Sequence, residues 1–290
     1  MSQLKSRLFL LLQKALPRYA LTALVFRLAR IRTTGLKNFL IRRFVNFYNV
    51  DVEEVRHSVP DDFATFNDFF IRELVAGARQ IDSASESITS PADGTVSAAG
   101  KIDGHRIFQA KGLHYTLTDL LATDIDDAEQ YVDGAFATIY LSPSNYHRVH
   151  SPFAGELIAA RYVPGDLFSV NEATVSNLPR LFTRNERLIC HFATDCGPVV
   201  VILVGALNVG SISTRWSGDL RPRKKGVVEN LDIGAQGEAT QVDKGDLIGW
   251  FNMGSTVIVL LPAVSSPDFS TLQSGAKVKM GQAIGNIKKV

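Results

Sequence analysis

The chain has 290 residues, 46% of them hydrophobic and 21% charged, ordinary proportions for a globular protein with a substantial core. Its two cysteines, Cys190 and Cys196, exclude a disulfide framework and fit a reducing compartment. The formal net charge of +2 hides an asymmetry: residues 1–50 hold ten Lys/Arg and no acid, leaving a net −8 on the other 240 residues.

The basic front reads as helical. On a helical wheel Leu4, Leu8, Phe9, Leu11, Leu12, Ala15 and Leu16 share one side, with Ser6, Arg7, Gln13 and Lys14 opposite; Lys5 and Leu10 are exceptions. Pro17 starts a second segment, Tyr19 to Arg32, which Gly35 ends. A third carries Leu36, Phe39, Leu40, Phe44 and Phe47 at helical spacing, with Arg42 and Arg43 between them. No uncharged run approaches the roughly 18 residues of a spanning helix, which excludes a transmembrane anchor. Basic amphipathic helices rich in Leu and Phe suit the interface of an anionic membrane. Packing on the protein's own body or on a second subunit is the plainer alternative, and an organellar transit peptide is another. The apolar core Leu8–Leu12 is too short for a signal peptide. Nucleic acid is disfavoured, because the acidic body repels phosphates and no recognisable nucleic-acid module follows.

Residues 61–82 read as one more helix, with Phe66, Phe69, Phe70 and Leu74 inside and Gly77 as its stop. The polar stretch that follows marks a boundary between a helical region, 1–82, and a body, 83–290. In the body short apolar runs alternate with Gly/Pro/Asp turns: Ala137–Leu141, Glu156–Val163, Val199–Leu207, Ser255–Leu261 and Ala283–Ile287. Only Tyr115–Ala122 looks helical there. The class is therefore α+β, a helical front on a β-rich body. Val242-Asp-Lys-Gly-Asp-Leu-Ile-Gly249 recurs as Val278-Lys-Met-Gly-Gln-Ala-Ile-Gly285, and Ser90-Pro-Ala-Asp-Gly94 as Ser151-Pro-Phe-Ala-Gly155. Both kinds of segment resemble the strand corners of barrel-sandwich hybrid folds.

Three stretches carry reactive groups. Asp93 stands at the apex of Pro91-Ala-Asp-Gly94, where an Asp commonly braces its own turn. His147 and His150 lie between Pro143 and Pro152; a strand would point them to opposite faces, so only an irregular loop brings both to one pocket. Ser255 follows Gly254 at the mouth of the apolar run Val257 to Leu261. A hydroxyl after a glycine in a sharp turn can swing back onto the preceding carbonyl, although most such turns are only turns. Ser, His and Asp together are the ingredients of an activated nucleophile, but sequence alone does not bring them together. The sets His147/His150 and Cys190/His191/Cys196 are incomplete for a metal, and none is expected.

The chain resembles the pyruvoyl-dependent phosphatidylserine decarboxylases over nearly its whole length. The marks are Phe66-Asn-Asp-Phe-Phe-Ile-Arg-Glu-Leu74, Ser90-Pro-Ala-Asp-Gly94, Phe108-Gln-Ala-Lys-Gly112, Tyr146-His-Arg-Val-His150-Ser-Pro152 and Met253-Gly-Ser-Thr256. Met253 stands where the family usually has Leu or Gly. The resemblance implies a zymogen in which His150, oriented by Asp93, deprotonates Ser255 for attack on the Gly254 carbonyl. The chain would be cut into 1–254 and 255–290, and Ser255 would become a covalent pyruvoyl group, the pyruvate cofactor. A Schiff base between that group and phosphatidylserine would lose CO₂ to give phosphatidylethanolamine, with His147 contacting the substrate carboxylate and reprotonating Cα. It implies a peripheral enzyme on the cytoplasmic side of the cell membrane, held to the anionic surface by residues 1–50, as a pair of chains from one precursor or a dimer of such pairs. Two rivals are a Ser-His-Asp lipid hydrolase, which lacks a Gly-x-Ser-x-Gly elbow here, and a lipoyl-like membrane-bound scaffold.

Overall fold

The computed structural model describes residues 3–123, 125–223, 226–234, 239–265 and 267–287, without the side chains of 3–8, 125 and 126. The front forms α1 (Gln3–Ala15), α2 (Arg18–Leu28), α3 (Thr34–Tyr48) and the short α4 (Phe66–Phe70). Pro17 stands between α1 and α2, and Asn49 ends α3 in the left-handed region. No single helix among the described residues is long and apolar enough to cross a membrane; the pair Phe9–Ala15 and Arg18–Leu28 would be, but is bent by 84°.

The front sits on the body in a way the helical wheel does not anticipate. Gln13, expected on the polar side of α1, is buried: it donates to Thr174 Oγ1 at 3.0 Å and accepts from the Ser169 amide at 2.8 Å. Leu11 and Leu12 are instead exposed. Several cations are spent on docking rather than left for solvent. Arg18 pairs with Asp166 at 3.0 Å, Arg30 with Asp219 at 3.7 Å, and buried Lys37 donates to the Pro60 carbonyl.

The helix expected over 61–82 is only five residues long. Thr65 caps it, accepting from the Asp68 amide, and the chain then turns to pair with an earlier segment. The Arg56 amide donates to Glu73 O and the Val75 amide to Glu54 O, so backbone groups that a longer helix would satisfy are satisfied across the loop.

The body runs β1 (Ser87–Thr89), β2 (Gly94–Lys101), β3 (Arg106–Ala110), β4 (Leu113–Thr116), α5 (Leu117–Leu121), α6 (Ile125–Glu129), β5 (Ala135–Tyr140), β6 (Arg148–His150) and β7 (Gly155–Val163). It continues with α7 (Glu172–Val175), α8 (Leu181–Arg184), β8 (Arg187–Thr194), β9 (Gly197–Val204), β10 (Ile212–Thr214), β11 (Gly218–Leu220), β12 (Glu229–Asn230) and β13 (Gln241–Val242). The last strands are β14 (Leu247–Phe251), β15 (Thr256–Leu261), β16 (Lys277–Val278) and β17 (Ala283–Asn286). The segment expected to be one helix over Tyr115–Ala122 divides, its first two residues completing β4. The large sheet is antiparallel in the order β12-β7-β8-β9-β15-β5-β2-β16, with β13 also on β7; smaller sheets are β11-β10-β14-β6, β1-β17 and β3-β4. The class is α+β, and no sheet closes into a barrel among the described residues.

The sequence echo is a structural duplication. Strand β16 pairs with β2 and β17 with β1, as β13 pairs with β7 and β14 with β6. Equivalent strands β2 and β7 each open on a glycine, and each shifts register at the same offset, between Val96 and Ala98 and between Leu157 and Ala159. A Cβ on Gly94 would lie 2.5 Å from Tyr140 O and one on Gly155 2.6 Å from Ala193 O, so neither position has room for a side chain. The two echo turns both rest on Ile81, through Gly245 and Gly281, whose positive φ suits glycine. Strand β15 lies at the centre of the large sheet, bonded to β9 on one side and β5 on the other, with all six residues buried.

Candidate active site

The chain reaches Ser255 from β14 through a turn held at both ends. Phe251 donates its amide to His147 O at 3.0 Å, and Ser255 O accepts from the Leu141 amide at 2.8 Å. Between them Asn252, 2% exposed, donates through its amide nitrogen to Ser211 Oγ at 2.6 Å and Ser213 Oγ at 2.9 Å, and accepts from Asn67 Nδ2 at 2.9 Å. Asn67 in turn donates its backbone amide to Ala29 O at the end of α2. One chain of hydrogen bonds thus links the front to the turn.

Ser255 is fully buried and its Oγ has no hydrogen-bond partner. An unsatisfied buried hydroxyl costs about 1–3 kcal/mol, and this one stands on the first residue after Gly254. Gly254 passes so close to its surroundings that a Cβ there would lie 3.3 Å from both His147 Nε2 and Leu141 O. His147 is also fully buried, its ring 4.1 Å from that of Phe70 and tilted 36° to it. Its Nδ1 lies 2.8 Å from Asn145 O, and a carbonyl only accepts, so Nδ1 carries the proton. The bare Nε2, without a partner, then faces Gly254. Burial first, and then the charge of Arg72, push the His147 pKa down to about 3, against the opposing hydrogen bond to Asn145 O. At neutral pH this imidazole is uncharged and able to accept a proton.

His150 ends β6, which follows the loop carrying His147. Its Nδ1 donates to Gly245 O at 2.7 Å, leaving Nε2 to accept from the Tyr146 hydroxyl at 3.0 Å. Burial lowers its pKa too. Asp93 makes no hydrogen bond to His150. It is clamped by Arg79, Nε to Oδ1 at 2.8 Å and NH2 to Oδ2 at 2.5 Å, and accepts from the Met280 amide at 2.9 Å. Arg79 also holds Glu54, which pairs with Lys279 at 3.1 Å. The loop and the turn therefore bring His147, Gly254 and Ser255 together; His150 stands on β6, beyond the loop expected to carry both histidines, and Asp93 belongs to an adjoining ion-pair network.

Arg79, Tyr146, Asn67 and Asn252 carry no role in the sequence reading. In the sequence reading Arg79 lies past Gly77, the expected helix stop, with nothing to mark a partner for it. Asn252 had one legible signal, a lone amide inside the apolar stretch Trp250 to Met253.

Beside Gly254 lies a cavity of about 190 Å³ lined by Tyr140, Leu141, Val170, Leu207 and Met253. It shares Phe44, Tyr48 and Met253 with a larger apolar groove of about 800 Å³ between α2 and α3, whose other walls include Leu28, Phe39 and Phe47. The groove is open, and the smaller cavity adjoins it through those shared residues. Among the described residues no cluster of His, Cys, Asp and Glu is arranged to hold a metal ion.

The family model described as phosphatidylserine decarboxylase matches residues 66–286, and a further model described as PSD matches residues 8–49. A phosphatidylserine decarboxylase proenzyme from Methylococcus capsulatus is 46% identical over 288 residues, covering 99% of both chains. One from Chromobacterium violaceum is 46% identical over 98% of this chain and 100% of its own length, and one from Saccharophagus degradans 42% identical over 98% and 99%.

Proposed function

The chain belongs to the phosphatidylserine decarboxylase family, and we propose that it acts on phosphatidylserine through a pyruvoyl group made by cutting itself between Gly254 and Ser255. The observation that carries this reading is the buried, unpartnered Ser255 Oγ directly after a glycine packed against the bare Nε2 of His147. In the cut, the Ser255 hydroxyl loses its proton and attacks the Gly254 carbonyl carbon; the peptide C–N bond breaks and the amine of residue 255 is released beside the new ester. Loss of the residue-255 Cα proton and rupture of the Cβ–O bond leave a carboxylate on Gly254 and a dehydroalanine at 255. Tautomerisation and hydrolysis, with release of ammonia, give the keto group. Its carbonyl supplies an electron sink for the pair left when the substrate carboxylate departs as CO₂.

His150, with Asp93 nearby, serves as base in the cut, and His147 serves at the substrate: it contacts the carboxylate, whose charge raises the ring's pKa, takes the proton that the ammonium gives up and returns one to Cα. A second reading gives both steps to His147, and its closeness to Gly254 favours it. The two separate cleanly: His147→Ala is cut but decarboxylates poorly on the first reading, and stays uncut on the second.

The pieces 1–254 and 255–290 remain together because β15, β16 and β17 of the short piece pair with β5, β9, β2 and β1 of the long one. The apolar groove between α2 and α3 receives acyl chain, and the smaller cavity adjoining it receives the headgroup. Region 1–82 lies at the surface of an anionic membrane, on its cytoplasmic side, and presents the groove to the bilayer; region 83–290 carries the chemistry. Intact mass spectrometry tests the proposal. A fragment of residues 255–290 bearing a keto group in place of its amino terminus supports it, and an uncut, active protein refutes it.

A further inference from the structure

We propose that Arg72 is a positioning residue for His147, holding the loop that carries it by the Ser144 and Asn145 carbonyls. Arg72 is 4% exposed and lies just past α4, two residues after the Phe70 ring that lies tilted against His147. Its NH2 donates to Ser144 O at 2.9 Å and to Asn145 O at 3.3 Å. The Asn145 carbonyl is the same one to which His147 Nδ1 donates. One short segment thus grips the imidazole from its face, through Phe70, and from behind, through a carbonyl that Arg72 fixes. Fixing that carbonyl fixes the tautomer, and the tautomer decides that Nε2 is bare toward Gly254.

The charge works in the same direction. Around His147 stand Phe70, Asn145 and Gly254, all neutral, and Arg72 is the charged group acting on the ring. A cation behind the ring opposes protonation at its front. Both bonds leave one nitrogen, NH2, at the tip of the guanidinium, a position that a lysine ammonium on a flexible stem holds less rigidly.

The inference rests on the reading that His147 handles a proton in the reaction. In processed enzyme assayed on phosphatidylserine in mixed micelles, Arg72→Gln is expected to lower kcat about tenfold with KM within about twofold. Its acid limb, where activity is lost as His147 protonates, should move to higher pH by about one unit, because removing a cation raises the His147 pKa. Arg72→Lys keeps the charge and should return the acid limb to its wild-type place, with kcat only partly restored. If a variant is cut only slowly, the rate of cutting is followed across pH in place of kcat, and on the reading that gives both steps to His147 the same expectations apply. A Gln variant with wild-type kcat and acid limb overturns the proposal, as does equal loss in both variants without movement of the limb. If the Gln variant does not fold, the Lys variant decides: a several-fold lower kcat with an unmoved limb supports the role, and a wild-type kcat removes it. Full activity in His147→Ala would instead remove the underlying reading of His147.

Discussion

The front and the body bury their apolar residues on different scales. The body has one continuous core in which β9 and β15 are buried almost end to end. The front has a separate cluster of eight residues, Ala29, Ile41, Val50, Val55, Phe63, Phe66, Phe69 and Phe70, held largely by edge-on aromatic contacts around Phe44. It leaves Phe47 at 76% and Leu11 at 62% exposure, which its own cluster does nothing to cover. The front thus keeps several large apolar side chains of α1, α2 and α3 in the open. Met253 packs against the front cluster and directly precedes Gly254, so the proposed cut lies where the two regions touch.

The sharpest test of that placement is Ser255→Ala. Removing one buried oxygen from the body leaves both cores intact, so the protein should fold, run as a single chain and show no decarboxylation. A cut and active variant would end the proposed chemistry. The next effect divides the regions. Phe69→Ala empties a fully buried site in the front cluster and should cost about 3–5 kcal/mol there. Limited proteolysis should then open the front, while the fluorescence of Trp216 and Trp250, both in the body, keeps its unfolding midpoint. A common shift of both signals would show that the regions unfold as one.

Much of the secondary structure was legible in the sequence. The acid-free start, the five apolar runs and the Gly-centred echoes each reached the structure, because periodicity and turn chemistry are local properties. What was not legible depends on partners distant in sequence. Gln13 is inside because Thr174 and the Ser169 amide wait for it. The 61–82 helix stops early because residues 54–56 offer its backbone another set of bonds. At the site, Gly254-Ser255 and the two histidines stood out as residue types in a suspicious setting. That His147 rather than His150 has its bare nitrogen toward Gly254 depends on which carbonyl each ring meets, and no spacing rule encodes that.

Within the body, Glu186 offers a pH test that leaves the front aside. Burial pushes its pKa from an ordinary 4.5 up to about 7, against the hydrogen bond from the Tyr162 hydroxyl and the charge of Arg223. The folded state therefore holds a proton that the unfolded state has released. The associated stability is fully present below about pH 4.5, falls as pH rises, and is lost above about pH 7; the shift corresponds to about 3 kcal/mol. Glu186→Gln should flatten the Tm profile between pH 5 and 8. An unchanged profile would mean that the carboxyl finds solvent.

The smallest effect concerns the front's cations, which the structure sorts into two kinds. Arg18 and Arg30 are paired with acids of the body, whereas Arg42 and Arg43 are exposed on α3 beside the open groove. A cation near an anionic bilayer contributes about 1 kcal/mol, so replacing Arg42 and Arg43 by Ser should weaken binding to vesicles rich in phosphatidylglycerol by about 2 kcal/mol, roughly 30-fold. The loss should shrink at high salt, where the surface field is screened. Replacing Arg18 and Arg30 by Ser removes the same two charges from sites already neutralised by Asp166 and Asp219 and should change vesicle affinity far less, loosening the front instead. Equal effects from the two substitutions would mean that the membrane responds to the net charge of the front and not to the face that α3 presents.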